Sequence, residues 1–190
     1  MLEVLAWAIV VCGYGIAIFF VAYTLVFSKS LQREAPFVPI ERWVLSEAFK
    51  QLKIKKGDRF VDIGSGSGRV VFYVANGTKG VAKYVGIEAE KVLFIWSNLV
   101  RKIGRNFKNV SFVHGDAFDQ DYSKFNKVFI YLTSDPTNRL VKILEDKLPK
   151  GSIVVTALFP LEDEFMKKHN VKVVEAKFNN KKMNLYVWKK

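Results

Sequence analysis

A glycine-rich string over residues 61–69, Val-Asp-Ile-Gly-Ser-Gly-Ser-Gly-Arg, carries the clearest chemical signal in this sequence. Glycine is needed where a ligand approaches the backbone closely, because a side chain would block that approach. The amides at the start of a following helix favour an electron-rich group. A dinucleotide fingerprint would require glycine at position 69, where Arg69 stands. The string therefore predicts a ligand-binding turn that differs from an NAD site, and its candidate residues are Asp62, Gly64, Ser65, Gly66 and Gly68.

Acidic residues mark the ends of the next two predicted strands. Glu88 comes twenty residues after Gly68, where a carboxylate can accept hydrogen bonds from both ribose hydroxyls of a nucleoside. Asp116 follows the third predicted strand. Because parallel strands present their carboxyl ends at one sheet edge, we expect the glycine turn and both acids to face the same ligand.

The elements that must position these residues alternate along the chain. Apolar, β-rich runs predict strands over Arg59–Ile63, Tyr84–Glu88, Asn109–His114, Lys127–Tyr131, Ser152–Ala157, Lys172–Phe178 and Asn184–Lys190. Helical spacing predicts helices over Glu41–Leu52, Arg69–Asn76, Lys91–Ile103, Thr137–Lys147 and Glu162–His169. This alternation predicts an α/β domain with a seven-stranded, mostly parallel sheet and helices on both faces. A polar turn over residues 179–182 predicts a final antiparallel hairpin.

The N-terminal region is apolar, with 25 consecutive uncharged residues from Val4 to Ser28. As a helix this run would extend roughly 37 Å, enough to cross a bilayer core of about 30 Å. A signal peptide, a buried core helix and an amphipathic surface helix fit less well, because the run lacks a basic start and a polar face. We therefore expect a membrane anchor over residues 1–28, a connector over 29–40 and one soluble domain over 41–190.

Charge and the few reactive side chains narrow the function classes further. Basic residues follow the apolar run and none precedes it, which predicts an outside N-terminus and a domain on the cytoplasmic or equivalent inner side. The net charge of +12 is compatible with nucleic acid or with anionic lipid. The lone Cys12 has no intrachain disulfide partner, and His114 and His169 lack metal-ligand spacing, so no metal site is expected.

The string and its context match the first motif of S-adenosylmethionine-dependent class I methyltransferases, whose domain is Rossmann-like. The whole chain resembles small membrane-anchored protein-lysine methyltransferases of mitochondria and their bacterial and archaeal relatives. The resemblance rests on the apolar N-terminus and on residues 35–39 (Ala-Pro-Phe-Val-Pro), 62–69, 86–88, 131–132, 148–152 and 159–160. One residue departs from the family, since Ser67 stands where an acidic residue is usual; this change affects local charge rather than the backbone turn.

The resemblance implies specific roles for several residues. S-adenosylmethionine is the implied cofactor, with Asp116 beside its adenine. Phe37, in the rigid Pro-Phe-Val-Pro segment, is implied to help shape the slot for a target lysine, although the residues alone read equally well as a stiff linker. Tyr131 and Asp135 follow the fourth strand where acceptor-contacting groups lie, although Asp135-Pro136 is equally a common helix start. The aromatic side chains expected to line the slot are Phe37, Trp43, Tyr131 and Phe159.

The sequence thus predicts a methyltransferase acting on a lysine of a membrane or membrane-associated protein. An RNA methyltransferase is the runner-up because of the basic charge, but no Asn-Pro-Pro-aromatic motif follows the fourth strand. A lipid or small-molecule methyltransferase stays open, since an anchor would hold the site near the bilayer. A non-catalytic membrane adaptor is less well supported, since a scaffold needs neither the glycine turn nor Glu88.

Overall fold

The computed structural model describes residues 7, 10–11, 13–18, 21, 39–104 and 107–190. The chain divides into two compact units, Met1–Phe37 and Val38–Lys190. The described residues of the first unit are helical and exposed. Across the described ranges, no helix combines the length and the apolar character needed to cross a bilayer. Most of the predicted anchor, including Cys12, lies outside the described residues, as does Phe37, and predictions on them stay predictions.

The second unit is built on one seven-stranded sheet. Its strands are β1 (Arg59–Ile63), β2 (Lys83–Glu88), β3 (Val110–His114), β4 (Lys127–Ile130), β5 (Ile153–Ala157), β6 (Lys172–Phe178) and β7 (Lys181–Lys189). Their order is β3-β2-β1-β4-β5-β7-β6. Strands β1 to β5 pair in parallel, and only β7 runs antiparallel to its two neighbours. The predicted seven-stranded Rossmann-like sheet with an antiparallel final strand is confirmed.

Helices cover both faces of this sheet. They are α1 (Arg42–Leu52), α2 (Arg69–Gly77), α3 (Lys91–Ile103), α4 (Ser134–Lys147) and α5 (Asp163–Lys168). The residues of β1 alternate between two cores: Phe60 belongs to the core that contains residues of α1 and α2, and Val61 to the core that contains residues of α4 and α5. Because side chains of a strand point alternately to its two faces, Asp62 lies on the side of Phe60.

Two predicted boundaries were wrong by three residues, and the other differences are of one residue. The hairpin turn contains only Asn179 and Asn180, because Lys181 and Lys182 already pair within the β6–β7 ladder. Asn179 has φ 53°, a left-handed conformation that asparagine tolerates well and that lets two residues reverse the chain.

Helix α4 begins at Ser134 rather than at Thr137. Pro136 lies in the first turn, where its missing N–H is not needed by the helix. Asp135 lies in the same turn, where a negative charge favours the helix dipole. The proline therefore marks the start of the helix and does not delay it.

Candidate functional site

The glycine turn between β1 and α2 is hydrogen-bonded to the end of β2. The amides of Gly64 and Ser65 both donate to the carbonyl of Ile87, at 3.0 and 2.9 Å. Gly64, Gly66 and Gly68 have φ of 77°, 54° and 80°, which side chains rarely allow. The glycines at these three positions are therefore required by the shape of the turn itself.

Glu88, at the end of β2, faces this turn. Its carboxylate is buried, with 8% of the residue exposed. Oε2 accepts from the amide of Gly66 at 2.7 Å, and Oε1 accepts from the amide of Glu90 at 2.7 Å. A carboxylate has about four acceptor sites, so about one is left on each oxygen. Glu88 is thus placed to accept from two neighbouring donors at once.

The amides of the turn are less available than the sequence suggested. The amide of Gly68 donates to the Ser65 carbonyl at 2.9 Å, so four of the five amides from Gly64 to Gly68 donate within the protein. Only the amide of Ser67 lacks an acceptor within the described part of the chain. The turn therefore offers a shaped surface, one amide and the first turn of α2, rather than a row of free donors.

Two buried polar side chains beside the turn have no hydrogen-bond partner among the described residues. Oδ2 of Asp62 and Oγ of Ser65 are both buried and unpaired. Burial, with a smaller contribution from the negative charge of Glu88, raises the pKa of Asp62 well above its ordinary value. Buried polar groups in folded proteins are almost always paired. Both atoms lie at the edge where the sequence predicts a ligand, and they are polar atoms with which such a ligand can pair.

Close packing fixes the walls around the turn. A Cβ on Gly64 would lie 2.6 Å from Cδ2 of Leu132, the second residue after β4. A Cβ on Gly86, in β2, would lie 2.6 Å from the ring of Phe112 and 2.7 Å from Oγ of Ser65. Leu132 and Phe112 thus hold the turn from two sides. Sequence reasoning included Gly86 only as part of a motif and missed this packing role.

Asp116 lies at the same sheet edge, after β3. The amide of the preceding Gly115 donates to the carbonyl of Glu88 at 3.1 Å, which ties the ends of β2 and β3 together. Oδ1 of Asp116 accepts from the amide of Phe118 at 2.9 Å and caps a short 3-10 turn, and the residue is exposed. The structure therefore brings the glycine turn, Glu88 and Asp116 together, as the sequence predicts.

Only some of the residues that the sequence predicts to contact the methyl acceptor lie after β4. Tyr131 is half-buried, and burial together with the negative charge of Glu41 raises the pKa of its phenol. Phe159 and Trp43 are also half-buried. Asp135 is exposed in the first turn of α4, so its helix-start role is visible in the structure.

Glu41 is a residue that sequence reasoning missed. Its Oε1 accepts from Nζ of Lys181 at 2.9 Å, and its Oε2 accepts from Nε1 of Trp43 at 3.0 Å. These two bonds hold the pKa of the Glu41 carboxyl below its ordinary value. The only signal in the sequence was an acid two residues after Pro39, whereas its partner Lys181 is 140 positions away.

The two histidines have structural contacts. His114 lies 3.2 Å from the carbonyl of Ala89 through Nε2, and the ring of His169 packs against those of Phe165 and Trp188, with centroids at 4.3 and 5.1 Å. Within the residues that the structure describes, no three His, Cys, Asp or Glu side chains are placed to hold a metal ion.

Comparison with known proteins gives a consistent picture. The family model described as "ANTKMT methyltransferase domain" matches residues 62–168, more than half of the chain. A protein-lysine N-methyltransferase of Saccharolobus islandicus is 28% identical over 149 residues, covering 76% of this chain and 89% of that protein. A human lysine N-methyltransferase, named for a component of ATP synthase, is 29% identical over 149 residues, covering 78% of this chain and 62% of that protein.

Solved structures give the same fold. An RNA methyltransferase from Salinibacter ruber, crystallised with S-adenosyl-L-homocysteine, superposes with a TM-score of 0.69 at 26% identity. The match covers 80% of this chain and 93% of the Salinibacter chain.

Proposed function

The chain belongs to the ANTKMT methyltransferase domain family, and on that premise we propose that it transfers the methyl group of S-adenosylmethionine to the side-chain amine of a protein lysine. The family match and the resemblance to two lysine methyltransferases support this proposal. The methyltransferase family predicted from the sequence is confirmed.

The geometry of Glu88 is the observation that carries the cofactor assignment. S-adenosylmethionine supplies an electrophilic methyl group on a positively charged sulfur. Its ribose has two neighbouring hydroxyls, which match the two acceptor sites left on the Glu88 carboxylate after Gly66 and Glu90 are satisfied. The remaining oxygen of Asp116 can accept from an adenine amine.

Asp62 and Ser65 complete the proposed cofactor site. A buried, unpaired carboxyl next to a second carboxylate favours a ligand that carries positive charge. The sulfonium and the amino group of S-adenosylmethionine both meet that requirement. Gly64, Gly66 and Gly68 shape the turn that leaves room for the ligand.

We assign the acceptor side to the end of β4. Transfer to an amine requires the lysine to arrive neutral, and half-buried aromatic surroundings disfavour its charged form. Tyr131 and Phe159 provide such surroundings, with Phe37 as the proposed cover. Glu41 and Asp135 are exposed carboxylates that can attract the lysine ammonium at the surface. The ammonium then gives its proton to water, and the neutral amine takes the methyl group as S-adenosylhomocysteine leaves. Positioning supplies most of the rate acceleration in such a displacement.

We further propose that the enzyme is anchored to a membrane by residues 1–28, with the catalytic domain of residues 41–190 on the cytoplasmic or equivalent inner side. The 25 uncharged residues and the basic residues that follow them support this arrangement. A lysine on a membrane-associated protein is then the substrate within reach.

The decisive experiment transfers labelled methyl groups from S-adenosylmethionine into a membrane extract and identifies the products by mass spectrometry. We expect label on protein lysines with the wild-type chain and none with Glu88→Ala. Glu175→Ala, which removes an exposed carboxylate from β6 at the far edge of the sheet, is the matched control and should behave as wild type. Label on RNA or lipid with none on lysine would overturn the lysine assignment.

RNA methylation is the second candidate function. The net charge of +12 and the similarity to the Salinibacter RNA methyltransferase favour it. The labelling experiment separates the two candidates directly when half of each reaction is treated with ribonuclease and half with protease. Label released only by ribonuclease would support the RNA candidate.

The anchor is tested separately by alkaline carbonate extraction. We expect the wild-type chain to stay with the membranes, and a chain carrying Val10→Arg and Ile18→Arg to be released, because a charge in a bilayer-spanning helix is costly. Release of the wild-type chain would overturn the anchor without affecting the methyltransferase assignment.

A further inference from the structure

Helix α3 exposes an apolar stripe that the fold does not use. Its members are Val92, Ile95, Trp96, Leu99 and Ile103, and each is between 48 and 73% exposed. Their spacing places them on one side of the helix, within an arc of about 100°. Soluble proteins rarely expose a contiguous patch of large apolar side chains unless it binds something.

The other side of α3 already packs against the sheet. Ser97 is buried, and Phe94 packs in the core formed with α1 and α2, while its ring lies 5.4 Å from that of His114 on β3. Leu93 and Val100 are half-buried on this inner side. The helix is therefore fully docked without its apolar stripe, and the stripe is free for a partner.

The charges around the stripe identify the chemistry of that partner. Residues 91–115 contain five Lys or Arg side chains and no Asp or Glu. Lys91 and Lys102 are exposed on α3, and Lys108 is exposed in the loop that follows it. An apolar stripe rimmed by cationic side chains complements a surface that is anionic outside and apolar just beneath.

We propose that the stripe of α3 docks into the head-group region of an anionic lipid bilayer. A helix with one apolar side containing tryptophan and a basic rim is the usual form of an interfacial helix. Each basic side chain near such a surface adds to the attraction. This docking holds the catalytic domain at the bilayer in one orientation, and it depends neither on the methyl-transfer chemistry nor on the N-terminal anchor.

A second copy of this chain is a poorer occupant. A two-fold interface through α3 would bring two acid-free basic segments together, and like charges across an interface repel. The same argument disfavours a basic protein partner. An anionic bilayer offers an apolar interior to the stripe and negative charge to its basic rim.

The test uses the full chain with Cys12→Ser and a single environment-sensitive fluorophore. The fluorophore is attached at Leu99→Cys in the stripe or, as the matched control, at Asn180→Cys in the exposed turn at the opposite sheet edge. Vesicles of phosphatidylcholine with about one third phosphatidylserine carry a nitroxide quencher on their acyl chains, and vesicles of phosphatidylcholine alone provide the comparison.

We expect at least twofold stronger quenching at position 99 than at position 180 in the anionic vesicles. The difference should shrink in vesicles of phosphatidylcholine alone and at high salt. Replacing the exposed Trp96 and Ile103 by serine should abolish it while leaving the circular dichroism spectrum unchanged, because neither side chain is buried.

Equal quenching at the two positions, or no binding of the chain to vesicles, would overturn the proposal. Shielding at position 99 that appears in detergent without lipid and grows with protein concentration would assign the stripe to a second copy and also overturn it. Loss of methyl transfer has no bearing on the result, so the two proposals fail separately.

Discussion

Two aspartates at opposite ends of β1 show how much the partners of buried carboxylates can differ within one fold. Asp58 and Asp62 are four residues apart and are 4% and 2% exposed. Asp58, at the amino edge, accepts from the amide of Lys55 and from Nδ2 of Asn126, both at 2.9 Å, and lies 3.9 Å from Nζ of Lys127. Asp62, at the carboxyl edge, has an unpaired oxygen and a second carboxylate as its charged neighbour.

This difference teaches that burial alone does not identify a functional acid. A fully satisfied polar network stabilises and fixes a structure, whereas a partly satisfied one is costly unless something else completes it. Perturbed acids at clefts are more often functional than paired ones. The amino edge of the sheet thus serves folding, and the carboxyl edge leaves polar atoms unpaired at the proposed cofactor site.

The largest expected effect breaks the amino-edge network. Asp58→Ala leaves the buried Lys127 ammonium without its partner, so we expect the free energy of unfolding to fall by about 3–5 kcal/mol. Urea denaturation followed by circular dichroism measures this loss. Affinity for S-adenosylmethionine in the folded fraction should not change.

The double variant Asp58→Ala with Lys127→Met is the control for that prediction. It removes both charges, so most of the lost stability should return. A double variant that is no more stable than Asp58→Ala would show that the ion pair is not what the amino edge depends on.

The next effect concerns binding rather than folding. Glu88→Ala removes a charged acceptor from two proposed ribose bonds, and hydrogen bonds to charged groups are worth about 1.5–3 kcal/mol each. We expect the affinity for S-adenosylmethionine to fall at least about 100-fold, or about 2.7 kcal/mol. Isothermal titration calorimetry measures the change, with Glu175→Ala as the control.

Because Glu88 also accepts from the amide of Gly66, Glu88→Gln is the second variant. Its side-chain oxygen can keep that bond, so the turn should stay in place while one ribose acceptor is lost. Wild-type affinity in both variants would contradict the proposed cofactor site.

Most of the carboxyl edge could be predicted from the sequence. Strand β1 and helix α3 have the predicted bounds, Arg59–Ile63 and Lys91–Ile103, because their patterns are set by local periodicity and by the glycine turn. Glu88 and Asp116 could be placed because parallel strands all end at one edge.

What the sequence could not give depends on distant pairing. The glycine-rich string marks Asp62, but nothing local predicts the pairing of Asp58, since its partners Asn126 and Lys127 are 68 and 69 positions away in the printed sequence. The contact of Glu41 with Lys181 is equally remote. The shorter hairpin turn and the earlier start of α4 depended on how Asn179 and Pro136 are accommodated, which composition alone does not specify.

A smaller effect tests the role of Asp62 through the pH dependence of cofactor binding. The pKa of Asp62 is raised by burial and by Glu88, and a positively charged ligand would favour the ionised form and lower it again. Binding should therefore release a proton, and the dissociation constant should fall, by up to tenfold per pH unit, as pH rises between the pKa of Asp62 in the complex and its raised pKa in the free chain. Calorimetry in buffers of different ionisation enthalpy counts the proton. Asp62→Asn should bind more weakly and lose this dependence, whereas an unchanged pH profile in that variant would contradict the role of Asp62.

The smallest expected effect tests the comparison most directly, because the melting temperatures of the two aspartate variants should shift in opposite directions. Since the folded-state pKa of Asp62 lies above its unfolded value, the stability gained from its bound proton is complete below the unfolded pKa and is lost as pH rises through the folded one. Between these two pKa values the wild-type chain loses that stability as pH rises, whereas the neutral side chain of Asp62→Asn does not titrate. Without cofactor we therefore expect Asp62→Asn to melt at a higher temperature than wild type at about pH 8, with the gain shrinking as pH falls towards about 4, the ordinary pKa of an aspartate. Asp58→Asn should melt lower than wild type at the same pH, because it weakens a satisfied ion pair. Thermal denaturation of the two variants at both pH values measures this directly, and a loss of stability in Asp62→Asn at high pH would mean that Asp62, like Asp58, serves the fold.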